Sequence, residues 1–286
     1  MKKLLCLIVT LLLLLSGCGN EAVETTAPTI TEPIPETTAL SSEENQLLLE
    51  QEAQLLEDKY GVVILVGDQC DTVFSHFTAS YATDYEKVSG ILKTLDYILG
   101  RYPEGFFRQL CTQERSGIRI HLIQDLWANN EDLYGGDYGG FSQDLLDHYI
   151  LVLDVDATWE ELYYHELTHI IDMHIAMDAA KREDALFSEE GWSALNPDWF
   201  PGYADDYMNL PDLQEDGWFV DPYGAINPQE DRAQVMAKAM LPNYRIYFNN
   251  NQGIRMKMEY YSLVIQDVFD TTGWPEILPW EENYKK

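Results

Sequence analysis

The segment YYHELTHIID at residues 163–172 constrains this chain more than any other, because it places two histidines four positions apart with a carboxylate beside the first. In a helix, His165 and His169 lie about 40° apart around the axis and about one turn apart along it, so both imidazoles can reach one ion. An H-E-x-x-H pattern on a helix is the arrangement in which two histidines bind zinc and the glutamate, here Glu166, acts as a general base. The pattern also arises by chance, so a metal centre is predicted only if the chain supplies a third ligand.

Two downstream glutamates compete for the place of that third ligand. A catalytic zinc site uses three protein ligands and keeps one position open. Glu230 lies in NPQED, where Asn227 can cap a helix whose second turn would bring a glutamate against the motif helix. Glu189, in FSEEGW, is the rival, although an acid there is also typical of an exposed helix start. The spacing alone leaves both glutamates open.

Two acids are candidates to orient the ligating histidines. A ligating histidine usually donates its second ring N–H to a carboxylate or a carbonyl, and Asp172 and Asp231 lie close to the ligand positions in the sequence. The other histidines lack a partner at ligand spacing and are typical of structural residues. They are His76, His121, His148 and His174.

Hydrophobic periodicity predicts an α+β domain over residues 42–286, with a small mixed sheet packed on the motif helix and a mostly helical C-terminal half. The segment 129–142 is predicted to be a glycine-rich loop, and its end, 139–142, to form the edge of the sheet. The predicted strands are 61–67, 118–124 and 149–154. The predicted helices are 42–59, 84–100, 158–181, 228–240 and 252–270.

The first residues predict export and anchoring. Lys2 and Lys3 precede an apolar run at 4–15, which is short for a membrane-spanning helix and typical of a signal peptide. LSGC at 15–18 resembles the lipobox of bacterial lipoproteins, which implies cleavage after residue 17 and a lipidated Cys18; an ordinary secretory cleavage site is the alternative.

A tether rich in Thr, Pro and Glu follows at residues 18–41. We therefore expect an extracytoplasmic protein that two acyl chains on Cys18 hold on the bacterial cell membrane.

The net charge of the chain excludes one class of partner. The chain has 18 Lys and Arg against 49 Asp and Glu, a net charge of −31, and no basic stripe for phosphates, so nucleic acid is not an expected partner.

Cys70 and Cys111 can form a disulfide outside the cytoplasm or remain two free thiols, and the sequence does not choose between these states.

The motifs resemble those of H-E-x-x-H zinc metallopeptidases of the gluzincin type. HELTHIID is similar to the HEFGHAVD of the anthrax lethal factor protease domain, where a tyrosine stands seven residues ahead of the liganding glutamate, as Tyr223 stands ahead of Glu230. YPEGFF at 102–107, followed by HELTH and NPQED, also resembles zinc metallopeptidase lipoproteins of Gram-positive bacteria. The match is incomplete, because the thermolysin glutamate directly follows an Asn whereas Pro228 follows Asn227 here.

The resemblance implies a zincin-like fold and a peptidase acting on a peptide or protein substrate. It implies that His165, His169 and Glu230 bind Zn²⁺, that Glu166 is the general base, and that Tyr223 helps to stabilise the oxyanion. Thermolysin-type enzymes would instead favour Glu189, which follows His169 by about the distance found there. Two other functions stay open: a surface lipoprotein that binds peptides or glycans around a structural or inactive zinc site, and a cell-wall peptide amidase.

Overall fold

A five-stranded mixed sheet and a set of helices packed on it make up the part of the chain that the computed structural model describes, residues 41–129, 138–206, 213 and 217–285. The predicted signal peptide, the predicted lipidation site Cys18 and all but the last residue of the predicted tether lie outside the described residues. The domain limits drawn from the sequence stay a prediction.

The helices and strands follow one another along the chain with few long connections. The strands are β1 (Val63–Val66), β2 (Phe77–Tyr81), β3 (Ile118–Ala128), β4 (Gly140–Asp144) and β5 (Tyr149–Asp154). The helices are α1 (Ser42–Tyr60), α2 (Tyr85–Leu99), α3 (Glu160–Ala179), α4 (Glu189–Ser193), α5 (Pro228–Met240), α6 (Arg245–Asn250), α7 (Gln252–Val268) and α8 (Glu282–Lys285). Short 3₁₀ turns lie at Gly67–Gln69, Phe107–Leu110, Tyr223–Ala225 and Pro279–Glu281.

The sheet is built around β3. Strand β5 pairs with one edge of β3 in parallel, and β1 pairs in parallel with the other edge. Strand β2 pairs antiparallel with the C-terminal half of β3, beyond the end of β1. Strand β4 pairs antiparallel with β5 and forms one edge of the sheet, which confirms the edge expected at 139–142.

Both faces of the sheet are covered. All six residues of β5 are buried, as is typical of a parallel strand with packing on both sides. Tyr149, Leu151 and Leu153 point into the main core with the helices, whereas Ile150 and Val152 belong to a smaller apolar cluster, here called the far-face cluster. The far-face cluster also contains Cys70, Ile123 and Leu126, with Phe74, Phe77, Tyr138 and Phe141 packed against it.

The motif helix α3 lies in the interior rather than on the surface. Eleven of its residues are buried, including His165, Glu166 and Asp172, because the sheet, α5 and α7 pack around it. Polar groups in such a helix must find partners inside the protein. Its position therefore explains why positively charged residues of α5 form ion pairs with acids on it.

The sequence predicted most helices to within a few residues and missed part of the sheet. Strand β2 and the short helices α6 and α8 were not predicted, and residues 140–142, predicted to lie in a glycine-rich loop, belong to β4. Gly140 lies so close to β5 that an added Cβ would come within 2.7 Å of the Val152 carbonyl oxygen. Glycine is needed at this position because two strands approach closely. A glycine-rich composition alone does not distinguish such a strand from a loop.

The two remaining cysteines are free thiols. Cys70 is buried in the far-face cluster and Cys111 is exposed. None of the helices in the described part of the chain has both the length and the apolar character that a membrane-spanning segment needs.

Candidate metal centre

Three side chains from two helices meet at one point of the interior. His165 and His169 come from α3, and Glu230 comes from the first turn of α5. The two Nε2 atoms lie 3.0 Å apart, and Oε2 of Glu230 lies 3.1 Å from Nε2 of His165 and 3.4 Å from Nε2 of His169. The structure thus brings the three ligands predicted from the sequence together.

The spacing of these atoms suits a tetrahedral metal ion. With zinc bonds of about 2.0–2.2 Å, two ligands of a tetrahedral site are about 3.3–3.5 Å apart. The three donor atoms are 3.0–3.4 Å apart, so they form one face of such a tetrahedron and leave a fourth position open. Two imidazoles and one carboxylate are also the donor set of a catalytic zinc site.

The electrostatics of the cluster favour a cation. Burial alone would lower the pKa of His169, but the hydrogen bond with Glu230 and the negative charges of Glu166, Glu230 and Asp172 raise it. Burial has the opposite effect on Glu230 and would raise its pKa, but the hydrogen bonds with His165 and His169 hold that pKa well below its usual range. The surroundings of the cluster therefore favour positive charge, which a divalent ion can supply.

Helix capping sets the position of Glu230. The Asn227 side chain accepts a hydrogen bond of 2.8 Å from the Glu230 backbone N–H, and Pro228 occupies the first helical position. This cap fixes the start of α5, so Glu230 always lies in the first turn. There it faces α3.

Glu166 lies beside the cluster and contacts the edge strand. Its side chain is buried, and its Oε2 accepts a hydrogen bond of 3.2 Å from the Ser142 hydroxyl of β4. The carboxylate lies near enough to the cluster for its negative charge to raise the pKa of His169. A general base must lie at such a position, next to the site where a metal ion would bind water.

Tyr223 also reaches the cluster. Its hydroxyl donates a hydrogen bond of 3.2 Å to Oε1 of Glu230, and its ring lies 6.1 Å from the ring of His165, measured between centroids. The 3₁₀ turn that carries it, Tyr223–Ala225, leads directly into the cap of α5. The side chain of Asp221 stabilises this turn by accepting a hydrogen bond of 3.0 Å from the Gly224 backbone N–H.

The rival ligand Glu189 and the predicted histidine partner Asp172 both bind Arg232 instead. Arg232 is fully buried and forms a two-pronged ion pair with each carboxylate, at 2.6 and 2.7 Å to Asp172 and at 2.9 and 3.0 Å to Glu189. Within the described residues Asp172 pairs with the Arg232 guanidinium, and the hydrogen bond expected from a ligating histidine is not formed. Since Asp172 follows His169 by three residues and Arg232 follows Glu230 by two, this ion pair also fixes the register of α5 against α3.

Asp231, the second predicted histidine partner, has other partners as well. Its Oδ2 lies 2.7 Å from Nζ of Lys257 on α7, in an ion pair with no solvent exposure on either side chain. The Tyr203 hydroxyl and the Trp192 ring N–H donate further hydrogen bonds to the same oxygen. Asp231 therefore joins α5 to α7, and within the described residues it forms no hydrogen bond with a ligating histidine.

Sequence reasoning missed Ser142, Arg232 and Lys257. Arg232 and Lys257 gave no local signal, because long charged side chains are almost never fully buried and their partners lie far away in the sequence. The one signal for Ser142 was the edge-strand prediction for 139–142, which places this residue opposite the motif helix.

The comparisons with known proteins support the fold. No family model and no curated protein matches the chain. Among solved structures, it is similar to one from Bacteroides caccae ATCC 43185, named a "putative zinc-binding metallo-peptidase". The match covers 80% of this chain and 88% of that one, with a TM-score of 0.53 and 16% sequence identity. The α+β fold predicted from the sequence is confirmed, and the chain shares it with that solved structure.

Proposed function

We propose that this chain is a zinc-dependent peptidase that hydrolyses peptide bonds of a peptide or protein substrate. One observation carries the proposal: His165, His169 and Glu230 present three donor atoms at tetrahedral spacing, and the buried Glu166 lies near enough for its charge to act on His169. The shared fold supports it, because the solved structure with that fold is named a "putative zinc-binding metallo-peptidase".

In this proposal, three residues bind the metal ion and a fourth transfers the proton. His165, His169 and Glu230 hold the ion, and bound zinc would act as a Lewis acid and lower the pKa of a water toward ~7. Glu166 accepts a proton from the attacking water and then donates it to the leaving amine. Its buried position excludes competing water from that proton transfer.

Tyr223 is proposed to donate a hydrogen bond to the oxyanion that forms on the scissile carbonyl. Its hydroxyl already lies at the ligand cluster, 3.2 Å from Glu230. A donor held in place before the reaction stabilises developing charge without having to reorganise. Because the same hydroxyl could serve only to orient Glu230, the two roles need separate tests.

The proposed location is the outer face of a bacterial cell membrane, with Cys18 as the lipidated anchor. The lipobox-like LSGC at 15–18 supports this proposal. We expect that labelled fatty acid enters the full chain and that the Cys18→Ala variant takes up none, because the acylated thiol is missing. Labelling of the variant at the level of the unchanged chain would exclude Cys18 as the anchor.

A substrate assay separates the proposed function from its two rivals. The purified chain is expected to cleave casein, to lose this activity with a zinc chelator, and to regain it when zinc is added back. Release of peptides from purified peptidoglycan without cleavage of casein would favour the cell-wall amidase. A zinc-loaded chain that cleaves neither substrate would favour the lipoprotein with a structural or inactive site.

A further inference from the structure

The edge strand β4 turns one face toward the motif helix. In a strand, alternate residues point to the same side, so Gly140 and Ser142 share a face that Phe141 and Gln143 do not. Phe141 packs against the far-face cluster, and Gln143 accepts a hydrogen bond of 3.2 Å from the Ser75 hydroxyl. Gly140 and Ser142 therefore face α3.

Both residues on that face meet Glu166. A Cβ added to Gly140 would lie 3.7 Å from Cγ of Glu166, so the strand backbone runs beside the glutamate stem. The Ser142 hydroxyl lies 3.2 Å from Oε2 at the end of the same side chain. The strand thus runs beside the stem of Glu166 and forms a hydrogen bond with its carboxylate.

A buried carboxylate needs hydrogen-bond donors, and Ser142, the donor to Glu166, belongs to the sheet. Glu166 is only 7% exposed, and an ionised carboxylate can only accept hydrogen bonds. Ser142 pairs with Leu151 in the antiparallel ladder between β4 and β5, so the position of its backbone is set by regular structure rather than by a loop. A donor mounted on a strand is placed more precisely than one on a loop.

We infer that Ser142 is a positioning residue for Glu166: its hydroxyl fixes Oε2, so that Oε1 is left to take the proton from the attacking water. The kinetic consequence of this inference rests on the proposed function. A glutamate side chain has three rotatable torsions, and proton transfer requires the acceptor oxygen within hydrogen-bond reach of the water. The contact restricts those torsions before a substrate arrives.

The kinetic test compares three variants of the full chain. Ser142→Ala is expected to lower kcat about tenfold while KM and zinc content stay unchanged, because the base is present but held less well. Ser142→Thr keeps the hydroxyl and suits a strand, so it should restore kcat to within about threefold of the unchanged chain. Ser75→Ala is the matched control. It removes a hydroxyl that donates a 3.2 Å hydrogen bond to Gln143, which lies on the opposite face of β4 from Ser142.

A structural test decides the inference even if the chain proves to have no peptidase activity. In metal-free crystals of the full chain, the Glu166 carboxylate is expected to occupy one position, and in Ser142→Ala crystals a displaced position or several positions. A Glu166 that keeps its position in Ser142→Ala would overturn the inference. So would kcat within twofold of the unchanged chain in an active Ser142→Ala enzyme. Displacement of Glu166 without any zinc-dependent hydrolysis would uphold the positioning role and reject the peptidase function.

Discussion

Replacement of Glu166 by Gln is expected to reduce peptide hydrolysis about a thousandfold or more, to background, while zinc binding is retained. The amide has the shape of the carboxylate and can still accept the hydrogen bond from Ser142, so the fold and the ligand cluster should persist. It cannot take a proton from water at neutral pH. The measurement is turnover of a peptide substrate, with zinc content and melting temperature recorded on the same preparation.

Glu160→Gln provides the matched control for this prediction. It makes the same chemical change in the first turn of α3, upstream of the ligands, and should leave turnover unchanged. Substantial activity in a folded, zinc-loaded Glu166→Gln variant would remove Glu166 as the base. The site would then need a different proton acceptor.

Replacement of Tyr223 by Phe is expected to lower turnover about a hundredfold without loss of zinc. Removal of one oxyanion donor typically costs about 2.7–4 kcal/mol of transition-state stabilisation, which corresponds to two to three decades in rate. The phenyl ring preserves the packing against His165, so the melting temperature should stay within a few degrees. Turnover and zinc content of the same sample distinguish an oxyanion donor from a residue that only orients Glu230.

Tyr203→Phe is the control for Tyr223→Phe. It removes a hydroxyl that donates a 2.6 Å hydrogen bond to Asp231, the residue next to Glu230 on α5. This loss should lower the melting temperature and spare turnover, because Asp231 faces Lys257 rather than the ligand cluster. Turnover within threefold of the unchanged chain in zinc-loaded Tyr223→Phe would contradict the catalytic role. Loss of zinc from that variant would assign Tyr223 to holding Glu230.

The parts of the site that local rules govern could be predicted from the sequence. The spacing of His165 and His169 fixes their common face of a helix, and the Asn227 and Pro228 pair marks where α5 begins. Because both signals depend on neighbours in the chain, they place Glu230 near the start of α5 without any knowledge of the fold, although the expected second turn is in fact the first. That this turn meets α3 required the resemblance to known metallopeptidases.

The parts that long-range packing governs could not be predicted. The partners of Asp172 and Asp231 are buried cations that come from other helices, Arg232 on α5 and Lys257 on α7. A sequence in which acids outnumber bases makes each acid resemble a solvated surface residue. Strand β4 was read in part as a loop for a related reason, since its identity as a strand comes from pairing with β5 rather than from its own glycine-rich composition.

The central claim is that His165, His169 and Glu230 bind zinc, and its most direct test is the zinc content of the purified chain, prepared without chelator. The unchanged chain is expected to hold about one zinc, and Glu230→Ala less than about a tenth of that, because a site with two remaining ligands binds too weakly. Glu189→Ala should keep its zinc and lose only stability, since Glu189 binds Arg232. An unchanged chain with less than about a tenth of an equivalent would contradict the account. So would the reverse pattern, with zinc kept in Glu230→Ala and lost in Glu189→Ala.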